Sequence, residues 1–329
     1  MKKFIEPYII AEIGANHNGN LNIAKKTIFE AKKAGCDAVK FQSWDEKLFS
    51  NNFYIKNPSL LKDVLKFKIN FKNLSILRKF AKKHKIDFGT AIFDKKQLLE
   101  ALKIKCDFIK IASMDINNYY LLNLVSKIKI PLIISTGTAT KKEIIKASKI
   151  FHNNKKKNVI FLHCLSLYPP KNLRFINLNN IILLRKLTKF ETGYSDHSIL
   201  PEIPLIAATL GSKVIEKHFT LSKKMTGWDH SISADPKDMK KIVSTTKLSK
   251  TILGNFHRIL SKEEKKSSKI MRRGLYAIRN IEKGERFNEK NLILQRPETK
   301  FGANFYSKII GKKSKKKILA NTEIKRKDF

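Results

Sequence analysis

Eight short apolar runs between residues 9 and 220, nearly all ending in a polar, glycine-containing or ionisable tip, constrain this 329-residue chain more than any other feature. They read IIAEIGANHNG from Ile9, DAVKFQS from Asp37, DFGTAIF from Asp87, DFIKIAS from Asp107, PLIISTG from Pro131, VIFLHCLS from Val159, FETGYSDHS from Phe190 and KVIEKHFT from Lys213. Runs of this length bounded by turn residues are buried strands, and the stretches between them carry apolar residues at helical spacing. Strands alternating with helices build right-handed parallel units, and eight of these close a barrel with its active site at the carboxyl rim. The expected fold class is therefore α/β, a (β/α)8 TIM barrel. An open doubly wound sheet is the alternative, but no GxGxxG follows any run.

The helix ends are also readable. The pattern from Asn22 to Ala34 stops at Gly35, Thr140 with Glu143 makes a capping box for a helix to Phe151, and Asp235 before Pro236 caps a long helix ending near Gly254. The connection from Trp44 to Lys72 is long for a barrel loop and is expected to lie over the rim as a partial lid. Past Leu253 the pattern dissolves into LGNFHRILSKEEKKSSK, which reads as a linker, and short strand-like runs around a Lys-Gly turn follow. The expected organisation is a barrel over 1–254, a linker over 255–269 and a small β-rich domain over 270–329, a size only marginally stable by itself.

Composition narrows the class of function. The formal charge of +40 would ordinarily point to nucleic acid, but the lysines are spread over nearly every amphipathic helix, without an aromatic-interleaved patch or zinc-finger spacing. Nucleic acid is therefore not expected as a partner, and the charge can serve to attract anionic substrates. Cys36, Cys106 and Cys164 are odd in number and widely spaced, as reduced core thiols of a cytoplasmic enzyme would be. No segment approaches the roughly 20 apolar residues that span a bilayer, and Glu6, Pro7 and Glu12 interrupt the first residues, so neither a membrane partner nor a signal peptide is expected.

Strand parity groups the polar tips. Residues two apart share a face, which pairs Glu12 with Gly14, Lys40 with Gln42, Ser195 with His197 and Glu216 with His218. Such charges survive in a barrel only if they neutralise one another, a ligand or a metal. His197 and His218 end consecutive strands, which lie about 4.8 Å apart, so the two imidazoles either share a divalent ion or bond separately to loops. Oxygen-rich open sites favour Mn2+, with Mg2+ or Co2+ as alternatives. Lys40 and Lys110, with Thr90, Ser113, Ser135, Thr136 and Ser166, make a ring of cations and hydroxyls suited to a phosphate. A Schiff-base lysine is the competing role.

The segments AEIGANHNG, VKFQS, IKIAS followed by an acidic residue, IISTG, HC with YPP, GYSDHS, IEKHFT and the distal QRPE resemble, in the same order, the sialic acid synthase family, which includes N-acetylneuraminate, legionaminate and pseudaminate synthases. The resemblance implies a TIM barrel followed by an antifreeze-like (SAF) domain, in a domain-swapped homodimer whose small domains cover the partner's barrel mouth. It implies condensation of phosphoenolpyruvate with an N-acetylmannosamine-type sugar, giving a nine-carbon 2-keto-3-deoxy acid and phosphate. By the same resemblance, His197 and His218 hold the metal and Glu12 lies near it as acid/base. Lys40, Thr90, Lys110, Ser113, Ser135, Ser166 and Ser195 surround phosphoenolpyruvate; Gln42, Asp115, Tyr168 and Asp229 face the sugar, and Arg296 arrives from the partner. The chain departs from the family pattern at Met114-Asp115, Ser166 and Trp228, chiefly on the sugar side. A 3-deoxy sugar-acid synthase using a phosphorylated aldose is the neighbouring alternative. A non-catalytic basic anion-binding protein is the alternative from another class.

Overall fold

The computed structural model describes residues 7–329; Glu6, weighed above against a signal peptide, lies outside the described residues. Eight parallel strands form a closed barrel in sequence order: β1 (Tyr8–Glu12), β2 (Ala38–Gln42), β3 (Asp87–Ala91), β4 (Phe108–Ile111), β5 (Leu132–Ser135), β6 (Val159–Cys164), β7 (Glu191–Asp196) and β8 (Val214–His218). Closure is the parallel pairing of β1 with β8, in which Glu12 stands opposite His218; on its other side Glu12 stands opposite Lys40. The register therefore brings three rim residues level.

Alternation along the strands separates two cores. Ile9, Ala11, Val39, Phe41, Phe88, Ile109, Ile134, Phe161 and Ile215 face the helices in the main hydrophobic cluster. Tyr8, Ile10, Ala38, Phe108, Ile133, Leu162 and Val214 fill the barrel's lower interior. Gly89 makes room for this filling, since a Cβ there would lie 2.2 Å from the Phe108 ring. The interior is thus packed below the rim, as barrels require.

The expected helix ends are present. Glu143 closes the capping box by accepting from the Thr140 amide at 2.7 Å, and Asp235 accepts from the Asp238 amide at 2.9 Å. The helices run Lys141–Asn153 and Pro236–Leu253, the first two residues longer than its pattern suggested. The long second connection folds into short helices Asn51–Lys56 and Pro58–Phe67, held by a satellite core of Trp44, Tyr54, Val64 and Phe67.

The chain divides into two compact units, 1–254 and 255–329. The segment read as a linker is not without structure: Lys262–Met271 is a helix capped by Ser261, with no buried residue. In the second unit, β9 (Gly274–Ala277) and β10 (Leu292–Gln295) pair antiparallel, and Leu275, Phe287, Phe301, Ile309 and Ile324 are among its core residues. Regular strand is confined to those two, with single bridges such as Ile281 to Ile318 doing the rest of the pairing. No helix among the described residues is long and apolar enough to cross a membrane.

Candidate active site

A cavity of about 520 Å³ opens at the carboxyl ends of the strands. At its base four buried charges alternate in sign. Lys40 Nζ lies 2.9 Å from Glu12 Oε2 and 3.3 Å from Glu216 Oε2, while Lys110 Nζ lies 2.9 Å from Glu216 Oε1. Ser195 donates to Glu216 Oε1 at 2.8 Å, and Gln42 Nε2 donates to Glu12 Oε1 at 2.7 Å. Gly14 leaves space here, because a Cβ would come within 3.2 Å of Glu12 Oε1, and its positive φ of 50° suits glycine.

The two carboxylates are not equivalent. Burial raises the pKa of Glu12, against the attraction of Lys40 and with the repulsion of Glu216 added. Burial acts upward on Glu216 too, but Lys110 and Lys40 together outweigh it and hold that carboxyl below its ordinary range. Glu12 is the member of the pair able to carry a proton, and Glu216 is a fixed anion. Lys110 is lowered by burial, with the charge of Lys40 acting in the same direction.

Hydroxyls gather on the opposite wall. Ser113 Oγ accepts from the Gly137 amide at 3.1 Å, and Ser135 Oγ is buried without a partner. A Cβ on Gly137 would lie 2.2 Å from Ser166 Oγ and 2.7 Å from Ser113 Oγ. These groups and Thr138 line the cavity with both lysines, an arrangement able to receive a phosphate.

His197 and His218 face each other with ring centroids 5.3 Å apart, and Tyr168 stacks on His197 at 4.0 Å. His197 Nδ1 donates to the Leu165 carbonyl at 2.8 Å, which leaves Nε2 free. His218 Nδ1 is buried without a hydrogen bond, 3.6 Å from Asp229 Oδ2, and burial keeps the ring neutral. Unprotonated nitrogens without hydrogen-bond partners are what a divalent ion requires. Among the described residues no group of three or more His, Cys, Asp or Glu is placed to hold an ion. The pair fits an open site completed by water and substrate, not a closed structural one.

Glu12, Lys40, Gln42, Lys110, Ser113, Ser135, Ser166, Tyr168, Ser195, His197 and His218 all line the cavity. Thr90 does not: it shares the outward parity of Phe88, is fully buried, and its Oγ1 lies 2.7 Å from Ser43 Oγ. Asp115 also stands back from the lining, with Oδ1 taken by Asn118 at 3.0 Å and Oδ2 buried without a partner. Arg296 is an exposed residue of the second unit. Glu216 is the functional candidate that strand parity grouped with His218 without assigning a role; its place between two lysines depends on barrel closure. Cys164, expected as a core thiol, is buried but lines the cavity, with Sγ 3.9 Å from His197 Nδ1.

The profile of the NeuB family matches residues 27–258, and the SAF domain profile matches residues 272–329. The chain belongs to the NeuB family. The NeuB chain is 37% identical to N,N'-diacetyllegionaminic acid synthase of Campylobacter jejuni, over 95% of this chain and 96% of that protein. It is 34% identical to pseudaminic acid synthase of the same species, over 98% of this chain and 96% of the relative. Among solved structures, the N-acetylneuraminic acid synthetase of Leptospira borgpetersenii in complex with citrate superimposes with a TM-score of 0.72 at 36% identity, covering 79% of this chain and 89% of that one. This NeuB-family chain is thus an enzyme of the sialic acid synthase type, a TIM barrel followed by a SAF domain.

Proposed function

We propose that the enzyme condenses phosphoenolpyruvate with the open-chain aldehyde of an N-acylated sugar, releasing phosphate and a 2-keto-3-deoxy sugar acid. The observation that carries this reading is the cavity base, where two lysines, two carboxylates and four serine hydroxyls converge beside the facing imidazoles of His197 and His218. Lys40, Lys110, Ser113, Ser135, Ser166 and Ser195 would bind the phosphate and carboxylate of phosphoenolpyruvate, with C3 directed at the sugar aldehyde. His197 and His218 would hold a divalent ion, Mn2+ by preference, which when bound supplies Lewis acidity toward the aldehyde.

The remaining work falls to this chain's side chains. As phosphoenolpyruvate C3 bonds to the aldehyde carbon, Glu12 gives its proton to the aldehyde oxygen, which becomes a hydroxyl. Water then adds to C2, and its proton returns to Glu12. The tetrahedral intermediate expels phosphate by C–O cleavage; the C2 hydroxyl proton leaves with it, and the lysines stabilise the departing anion. Tyr168 and Gln42 hold His197 and Glu12 in place by stacking and hydrogen bonding. Asp229, next to His218, would meet the sugar, and Arg296 would complete the site from the partner chain of a homodimer. The test is phosphate release requiring both phosphoenolpyruvate and an N-acylated aldose, abolished by chelator and restored by Mn2+. Water-derived 18O should appear in the C2 keto group and not in the phosphate; label in the phosphate would refute C–O cleavage.

A further inference from the structure

The loop that follows β8 leaves and rejoins the barrel at one point. Just beyond His218, the Thr220 amide donates to the Ala234 carbonyl at 3.0 Å, and the Ala234 amide donates to the His218 carbonyl at 2.8 Å. Between these ties the loop carries Asp229, half-buried, with Oδ2 3.6 Å from His218 Nδ1. Two chains of hydrogen bonds fix its main chain. In the first, Ser233 Oγ donates to the Asp229 carbonyl at 2.6 Å, and Asn16 Nδ2 donates both to Ser233 Oγ at 2.8 Å and to the Phe219 carbonyl at 3.0 Å. The second runs through His230, which is fully buried although it belongs to a loop. Its Nε2 lies 3.2 Å from Asn18 Oδ1 and its Nδ1 2.6 Å from Thr220 Oγ1.

Asn18 sets the direction of the second chain. Its Nδ2 donates to the Thr226 carbonyl at 3.0 Å, so Oδ1 is the atom turned to the imidazole, and Nε2 must carry the ring proton. Nδ1 then accepts from the Thr220 hydroxyl, and burial lowers the pKa of the ring and keeps it neutral. Asn18 has a φ of 52°, a conformation asparagine adopts more readily than most side chains. Gly227 closes over the pair, since a Cβ there would lie 2.6 Å from His230 Cδ2 and 2.8 Å from Asn18 Oδ1. One imidazole thus joins the start of this loop to the loop after β1, directly behind Asp229. We infer that His230 is a positioning residue, which with Asn16 and Asn18 holds Asp229 beside His218 so that the carboxylate meets the sugar in one place. This rests on the condensation reading above, and it gives a task to the two asparagines of the NHNG run, neither of which lines the cavity.

The test uses the full chain with Mn2+ and saturating phosphoenolpyruvate, and follows phosphate release with N-acetylmannosamine and with its 6-phosphate, keeping whichever is turned over faster. His230→Ala should lower kcat/KM for that aldose at least about tenfold, within the roughly 100-fold that a 1 Å displacement costs, while the calorimetric Kd for phosphoenolpyruvate stays within about threefold. His230→Gln keeps a donor for Asn18, and the Thr220 hydroxyl can turn to the Ser222 carbonyl 3.1 Å away, so this variant should regain at least about threefold of the loss. The deciding comparison is made in Asp229→Ala protein, where His230→Ala should cost less than about twofold more, because residues that act through one group do not add. A further loss of about tenfold in that background, an Asp229→Ala enzyme as fast as wild type, or a phosphoenolpyruvate Kd that weakens in step with kcat/KM would overturn the inference and leave the condensation reading intact. Wild-type enzyme that releases no phosphate with either aldose overturns both. Asn18→Gly accepts the positive φ and removes the same bond from a half-buried position, so it carries the same comparison if His230→Ala does not fold.

Discussion

Replacing Lys217 by Met should destabilise the barrel more than any exchange on its surface. Lys217 and Asp196 face away from the cavity, one residue before each rim histidine, and are 2% and 0% exposed. Lys217 Nζ lies 2.8 Å from Asp196 Oδ2 and also donates to the Ser198 carbonyl, while Asp196 Oδ1 accepts from the Ser198 amide at 2.9 Å and from Tyr194 Oη at 3.2 Å. Removing the ammonium leaves a carboxylate buried with two neutral donors and no counter-ion, a change that costs about 3–5 kcal/mol. At roughly 2–4 °C per kcal/mol for a unit of this size, the melting temperature should fall by about 6–20 °C. Denaturant unfolding followed by tryptophan fluorescence measures the loss. The double variant Asp196→Leu/Lys217→Met removes both charges and should recover most of it, giving a coupling energy of about 2 kcal/mol or more. A single-variant loss below about 1 kcal/mol, or purely additive effects, would refute the idea that this pair clasps the β7 and β8 ends.

Gly137→Ala should push Ser166 and Ser113 apart and raise KM for phosphoenolpyruvate about tenfold, roughly the worth of one charge-assisted hydrogen bond, with circular dichroism unchanged. His197→Ala and His218→Ala should each abolish chelator-sensitive activity and Mn2+ binding by calorimetry while leaving the barrel folded, since rim residues add little to its core. Mixing Arg296→Ala with His218→Ala protein should restore activity that neither variant has alone, provided the arginine serves the partner's site; failure to complement places it elsewhere. In the second unit, Arg279, the Glu282 amide and Asn291 hold the Glu285 carboxyl down to about 2. Its contribution is therefore fully present above the ordinary carboxylate pKa of about 4.3 and is lost as pH falls from there through the lowered pKa of about 2. Glu285→Gln should flatten the acid limb of that unit's stability curve, and an unchanged limb would dismiss the linkage.

Much of the barrel was legible because period-two burial and chemistry at strand ends leave separate marks on a sequence. Parity placed Glu12, Lys40, Glu216 and His218 on the cavity side, where they lie, and the caps at Thr140 and Asp235 are local hydrogen bonds that any sequence carrying them would form. Thr90 shows where such reading stops. Its run contains Gly89, whose missing side chain gives no sign of facing inward, and only the Phe108 ring filling that gap reveals that Thr90 points outward. Which lysine meets which carboxylate is likewise a property of closure, set when β8 pairs with β1. The helix Lys262–Met271 escaped notice because it buries nothing, so no apolar stripe marked it. The contacts between Trp44, Phe67 and Trp228 join residues far apart in the chain, and a lid was all that loop length could suggest.

The charge balance at the cavity base leads to a last prediction. Lys40 and Lys110 bring two positive charges, Glu12 and Glu216 two negative ones, and His218 is neutral, so the lysines offer no net charge to an anionic substrate while both carboxylates are ionised. Glu216 is the costly member for binding, because it occupies both ammonium groups and Ser195 at once. It is also what orients them. Glu216→Gln keeps the shape and removes the charge, so phosphoenolpyruvate should bind at least about tenfold tighter, a small part of the roughly 4 kcal/mol that two unit charges 4 Å apart exchange at an effective dielectric of 20. Turnover should fall by at least about tenfold, since the same lysines would then hold phosphate after C–O cleavage and release it slowly. Calorimetric titration with phosphoenolpyruvate, alongside kcat under saturating sugar, separates the two effects. Weaker binding with kcat unchanged would mean that Glu216 only supports the lysines and that its charge does not set the affinity of the site.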